Sequence, residues 1–168
     1  MTIGDGLDPL TDMGPLTTLA RQKTFGTIID TARQLGGKSW ETARAIPQKG
    51  WFMRPILITD LSWDSPLFQW ELFGPAAIVV PYDALDQVFS HLNARNTGLV
   101  AYLFGSGDRL QTQAAVLDYG TIGINTVHIT HSAIPFTGWK SSGQGVSLGP
   151  DTLAFYQQTQ HIHWGQVG

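Results

Sequence analysis

Apolar residues recur along the chain with two different spacings. Leu19, Phe25, Ile28, Ile29, Ala32 and Leu35 fall on one face of a helix. Thr17 or Thr18 can cap it and Gly36-Gly37 can stop it, so an amphipathic surface helix is expected there. Residues 38–49 are mostly polar and read as a connector. Ile56-Leu57-Ile58 is predicted as strand, with Pro55 at its start, where a missing N–H is tolerated. The run Ala76-Ala77-Ile78-Val79-Val80 has no polar interruption, the pattern of a strand covered on both faces. Asp83 can cap a second helix that carries Leu85, Val88, Phe89 and Leu92 at helical spacing and ends at Asn93, Asn96 and Gly98. Residues 99–104 are predicted as strand, Asp108 as the cap of a helix running through Leu117, and residues 121–125 as another short strand. Strands alternating with helices predict an α/β fold with a partial parallel sheet and flanking helices, built from βαβ units with right-handed crossovers.

Polar and turn-forming stretches complete the pattern. Gly4, Gly6, Asp8-Pro9, Asp12 and Gly14-Pro15 make the first fifteen residues an irregular entry loop. Residues 126–149 contain Pro135, Gly138, Gly143, Gly145 and Gly149, so a long structured loop is expected, and such loops are usually functional. Residues 151–156 read as a short helix. In residues 159–164, His161 and His163 alternate with Ile162 and Trp164, as in a half-buried strand. No repeat, low-complexity tract or second domain boundary is visible.

Composition narrows the function classes. A chain of 168 residues, 42% hydrophobic and 14% charged, suits one globular domain or a large part of one. A net charge of -3 without any basic run argues against nucleic acid, whose phosphates must be neutralised by clustered cations. No apolar stretch reaches membrane-spanning length and no secretory signal pattern opens the chain, so a soluble, cytoplasmic protein is expected, without membrane partners. The chain has no Cys, which removes disulfides, thiolate metal sites and thiol nucleophiles. Six Trp and eight Phe are many for this length, and some are expected to face other protein.

The most suggestive chemistry lies in Trp70-Glu71-Leu72-Phe73-Gly74-Pro75. A carboxylate and a ring stand just before a turn that leads into an apolar run, an arrangement that can aim both into a cleft at a sheet edge. The carboxylate of Glu71 can accept two hydrogen bonds from a vicinal diol such as a ribose, and the ring of Phe73 can pack on a flat heterocycle. A solvated Glu beside a core Phe is the alternative.

Further blocks decide between these. Gly14-Pro15, Phe52 with Pro55, the Glu-x-Phe-Gly-Pro block, Asn93 with Gly98-Leu99, Gly120 to Asn125, and Pro135-Phe136-Thr137-Gly138-Trp139-Lys140-Ser141-Ser142-Gly143 occur in this order. The chain thereby resembles the C-terminal part of an NAD(P)-dependent aldehyde dehydrogenase. The resemblance runs from about Ile3 to the tail, and within the family the segments around Ile124 and Ile134 look most like succinate-semialdehyde dehydrogenases. It implies that residues 1–156 are the C-terminal part of a catalytic domain and residues 157–168 an oligomerisation strand and tail. It implies NAD or NADP as cofactor, with Glu71 on the nicotinamide ribose and Phe73 placing the nicotinamide. Phe136 would stand at the tunnel of a small aldehyde substrate, although a plain core aromatic fits it nearly as well. The implied partners are further copies of the chain or the missing part of the enzyme.

Several residues read as scaffold or as departures. Asn125 is expected to close a strand and Lys140 to anchor a loop. Gly105-Ser106-Gly107 is rejected as a phosphate loop, because Asp108 would put a negative charge where the phosphate must sit. His128, His131, His161 and His163 lack a pairing acid, so no metal site is expected. Thr137 stands where the family usually has Gly, which predicts a local difference in the loop backbone, and Val146, Ser147, Gln158 and Gln160 stand where many relatives carry charges.

The family reaction needs a Cys thiolate to attack the aldehyde and a Glu to activate water against the thioester. The resemblance places both before Met1, so this chain carries no catalytic residue and is expected to be inactive alone. Two other readings are weighed. One is a non-catalytic remnant acting as a binding or oligomerisation module. The other is an unrelated carboxylate enzyme on Asp60, Asp64 and Glu71, which comes with no matched base or metal ligands.

Overall fold

In the computed structural model, which describes residues 1–106, 109–166 and 168 (of Arg109, the backbone only), the chain divides into two units, Met1–Asp83 and Ala84–Gly168. The predicted first helix forms as α1 (Leu19–Gln34). Its start is fixed by Thr18, whose side chain accepts the Arg21 N–H at 3.1 Å. Helical spacing brings Phe25, Ile28, Ile29 and Ala32 to one buried face, while Leu19 and Leu35 at its two ends stay exposed.

That face packs on a three-stranded sheet. β1 (Lys38–Glu41) pairs antiparallel with β2 (Ile56–Thr59), and β2 pairs parallel with β3 (Ala76–Ile78). Alternation along β2 sends Ile56 and Ile58 inward and Leu57 outward. Ile56 joins Phe25 and Ile29, with Leu16, Met53 and Ala76 against them. Ile58 joins Ile28, Ala32, Leu61 and Leu67, with Leu72 and Ile78 against them. Each fully buried side chain of this size stabilises by about 1.5–3 kcal/mol, so this double cluster holds the unit together.

Two expectations in this unit are corrected, and one element was not foreseen. The connector over residues 38–49 contains β1, because β2 offers an unpaired edge and Trp40 anchors across it, its Nε1 donating to Thr59 Oγ1 at 3.3 Å. The run at 76–80 yields only three strand residues, covered on one face: Ala76 and Ile78 meet the core while Ala77 and Val79 are exposed. A 3₁₀ turn at Pro66–Gln69, with Ser65 Oγ accepting the Leu67 N–H, was not legible in the pattern.

The second unit starts with α2 (Leu85–Asn93), whose Phe89 is buried. Asp83 does not cap it. Ala84 occupies the N-cap position without a side-chain bond, and Asp86 in the first turn supplies the favourable negative charge instead. β4 (Thr97–Gly98) leads into β5 (Val100–Leu103), α3 (Arg109–Ala114) follows, and β6 (Thr121–Ile124) returns parallel to β5. The cap predicted at Asp108 lies outside the described residues. Within the long loop, β7 (Phe136–Thr137), β8 (Trp139–Lys140) and β9 (Val146–Ser147) form two short antiparallel ladders, β4 with β8 and β7 with β9. Gly120 is fixed by close approach, since a Cβ there would overlap the carbonyl oxygen of Thr137.

α4 (Asp151–Phe155) forms as predicted. The half-buried strand over 159–164 does not. That segment pairs with no strand among the described residues and is exposed throughout, Ile162 and Trp164 included. Its backbone completes no ladder with another strand among the described residues. The rings of His161 and His163 still stack at 6.3 Å, as side chains two apart on an extended backbone do. Among the described residues no helix is long and apolar enough to cross a membrane.

Candidate functional site

The site is built from alternation around a helix. After the 3₁₀ turn buries Leu67, the chain runs outward through Trp70 and Glu71, both exposed, and Leu72 returns to the core cluster of Ile28 and Ile58. Phe73 points out again and is 62% exposed. At Gly74 the backbone lies so close to α1 that a Cβ would overlap the Phe25 ring. The Pro75 carbonyl then accepts the Ile56 N–H at 2.9 Å and feeds the chain into β3. Leu72 and Gly74 are therefore the inward positions that hold Glu71 and Phe73 on the surface.

Phe73 has φ 42°, in the left-handed region that a bulky side chain avoids at a cost of order 1–3 kcal/mol. Strain of this kind persists where the surroundings over-determine it, and it clusters at ligand-binding segments. Arg21, in the first turn of α1, stacks its guanidinium over the Phe73 ring at 5.0 Å from the centroid. Beside this pair, Thr24, Thr27, Ile28, Trp70 and Glu71 line a hollow of about 500 Å³. A smaller hollow of about 290 Å³ runs along Gly14, Pro15, Leu16, Gly74 and Pro75. The predicted pair Glu71 and Phe73 thus sits on one exposed segment next to a hollow. Thr24, Thr27, Trp70 and Arg21 were missed, although Arg21, Thr24 and Ile28 follow helical spacing and would have been found by extending the stripe beyond apolar residues.

In the second unit the Pro135–Gly143 block behaves differently. Lys140, itself at φ 55°, pairs with the Asp118 carboxylate at 3.2 Å and donates to the Asn93 carbonyl at 2.6 Å. The Asn93 amide donates to the Val116 carbonyl at 2.7 Å and accepts the Asp118 N–H at 2.9 Å. Ser142 Oγ accepts the Gly98 N–H at 3.0 Å. Asn125, at φ 53°, spans Gly105 with two side-chain bonds of 2.9 Å, to its N–H and its carbonyl. Lys140 and Asn125 are scaffold residues in this geometry.

Phe136 is half-buried in β7, opposite Ser147 of β9. Its neighbour Thr137 donates from Oγ1 to the Gly145 carbonyl at 3.0 Å, so this side chain ties the loop together. At Tyr119, burial pushes the phenol above its ordinary value, and the charge of Arg95 partly opposes that. Among the described residues no three His, Asp or Glu side chains are grouped as metal ligands.

The sequence model of the Aldehyde dehydrogenase family matches residues 1–162, and the chain belongs to that family. Among its relatives is the 4-(hydroxymethyl)benzenesulfonate dehydrogenase TsaD1 of Comamonas testosteroni, 32% identical over 165 residues, covering 98% of this chain and 34% of that protein. A probable NADP(+) succinate-semialdehyde dehydrogenase of Sinorhizobium fredii is 36% identical over 146 residues, covering 86% of this chain and 30% of the relative. Among solved structures, the NAD+ complex of the aldehyde dehydrogenase from Bacillus cereus superposes with a TM-score of 0.87 at 31% identity, over 94% of this chain and 32% of that one. The succinic semialdehyde dehydrogenase of Streptococcus pyogenes in complex with NADP+ gives a TM-score of 0.87 at 26% identity, over 98% and 36%. The α/β class is therefore established. The chain spans about a third of the length of the curated relatives it matches.

Proposed function

We propose that the chain is the C-terminal portion of an NAD(P)-dependent aldehyde dehydrogenase and supplies the nicotinamide-ribose face of its cofactor site. The carrying observation is the joint exposure of Glu71 and Phe73, held out by the inward packing of Leu72 and Gly74. The Glu71 carboxylate accepts hydrogen bonds from the ribose diol, and Phe73 packs on the nicotinamide ring. The cofactor itself carries hydride away from the substrate. Phe136 lines the aldehyde path, and succinate semialdehyde is the substrate that the relatives named for it favour.

The thiol nucleophile comes from the remainder of the enzyme, because the chain has no Cys, and the family resemblance places the general base there as well. Residues 157–168 act in subunit assembly, which accords with residues 157–166 being exposed and pairing with no strand among the described residues. A second reading, a non-catalytic binding module, draws on the open outer face of the first sheet, where Trp40, Leu57 and Ala77 stand in register and exposed.

The intact mass of the cellular product, captured through a tail peptide, separates the two. The dehydrogenase reading expects a mass well above 18.4 kDa, and a product of 18.4 kDa would overturn it in favour of the module.

A further inference from the structure

Two local costs meet at one contact. Arg21 places a cation in the first turn of α1, where the helix dipole and the unpaired N–H groups favour negative charge. Among the described residues its guanidinium pairs with no carboxylate within 4.0 Å. Phe73 pays for φ 42° and for 62% exposure of an apolar ring. Neither arrangement is what an isolated helix or turn would choose, and the stacking at 5.0 Å gives the cation a partner while covering one face of the exposed ring. Such paired departures from local rules are expected where a side chain must be held ready for a ligand.

We propose that Arg21 is a positioning residue, which clamps the Phe73 ring from its helix-facing side and keeps the opposite ring face open beside Glu71 for a flat, ribose-linked heterocycle. The inference rests on the reading of Glu71 and Phe73 as the cofactor face. Arg21 is suited to the task because the Thr18 cap fixes its backbone N–H and because a planar guanidinium stacks flat where an ammonium cannot. The half-buried stem of Arg21 limits the orientations open to the ring.

The test is a titration of the 168-residue chain with nicotinamide mononucleotide, followed by NMR of carbon-13-labelled Phe rings, with the Phe73 signals assigned through Phe73→Leu. Wild type is expected to show one shifted set of Phe73 ring signals. Arg21→Ala should move these toward free-ring values and weaken nucleotide binding about two- to fivefold, the effect of one exposed cation–π contact. Arg21→Lys should restore the affinity only in part. Glu71→Gln should weaken binding while leaving the Phe73 signals where they were.

If Arg21→Ala leaves both the ring signals and the affinity unchanged while Glu71→Gln and Phe73→Leu weaken binding, the clamp is refuted and the cofactor face stands. If wild type binds no nucleotide, or if Glu71→Gln and Phe73→Leu bind as wild type does, the cofactor face is refuted and the clamp with it.

Discussion

The blocks at Glu71–Pro75 and at Phe136–Gly143 carry equally dense sequence signals, and the structure uses them in opposite ways. In the first, the apolar and small residues are used in packing and the candidate side chains are left exposed: Leu72 and Gly74 face the core, Glu71 and Phe73 face out. In the second, the polar side chains are consumed internally, with Lys140 on Asp118 and Asn93, and Ser142 on Gly98. A block of motif residues can therefore be a display or a clasp. What separates them is whether hydrogen-bonding groups end on the chain's own backbone or remain available.

The largest effect should come from removing the support behind the display. Phe25 is fully buried and abuts Gly74, so Phe25→Ala should cost about 3–5 kcal/mol in urea unfolding. A loss below about 1 kcal/mol would mean that the Glu71 segment does not depend on α1.

The comparison sharpens with substitutions of the polar residues themselves. Lys140→Met removes an ion pair and a charged hydrogen bond from a side chain only 24% exposed, so a loss of about 1–3 kcal/mol is expected by the same measurement. Glu71→Gln, at an exposed position with no ion pair among the described residues, should stay within about 0.5 kcal/mol of wild type. Equal effects of the two would erase the distinction between clasp and display.

The smallest effect concerns pH. Burial raises the Tyr119 phenol above its ordinary value of about 10, so the folded state holds this proton more tightly than the unfolded state. The associated stability is complete below about pH 10 and is lost as pH rises from there through the folded value. Tyr119→Phe should therefore flatten the alkaline decline of stability in proportion to this one group. An unchanged alkaline slope would show that the phenol titrates in the folded chain as it does in water.

How much of this could be seen in the sequence follows from the range of the interactions involved. α1 was legible from local information, since Thr18 and the spacing of Phe25, Ile28, Ile29 and Ala32 both act within the helix. β2 was legible for the same reason. β1 was not, because Lys38-Ser39-Trp40-Glu41 has one apolar residue and owes its strand form to pairing with β2. The run at 76–80 predicted cover on both faces, yet this chain covers only the face of Ala76 and Ile78. At 159–164 the alternation is real, but a strand needs a neighbour, and none lies within the chain among the described residues.

The candidate site divides similarly. Glu71 and Phe73 stood out because their neighbours form a recognisable block, and the structure places both on the surface. Arg21 was missed because the helix was read along its apolar stripe alone. The anchoring role of Lys140 was anticipated, but its acid, Asp118, is distant in sequence and meets it only through the pairing of β4 with β8 and the turn before β6.

The most direct measurement is a two-dimensional NMR titration of the chain with NAD+. The account predicts weak, saturable shifts confined to Arg21, Thr24, Trp70, Glu71 and Phe73, with Asn93, Asp118, Lys140 and Ser142 unmoved. Shifts at the Lys140 clasp with none around Glu71 and Phe73 would contradict it.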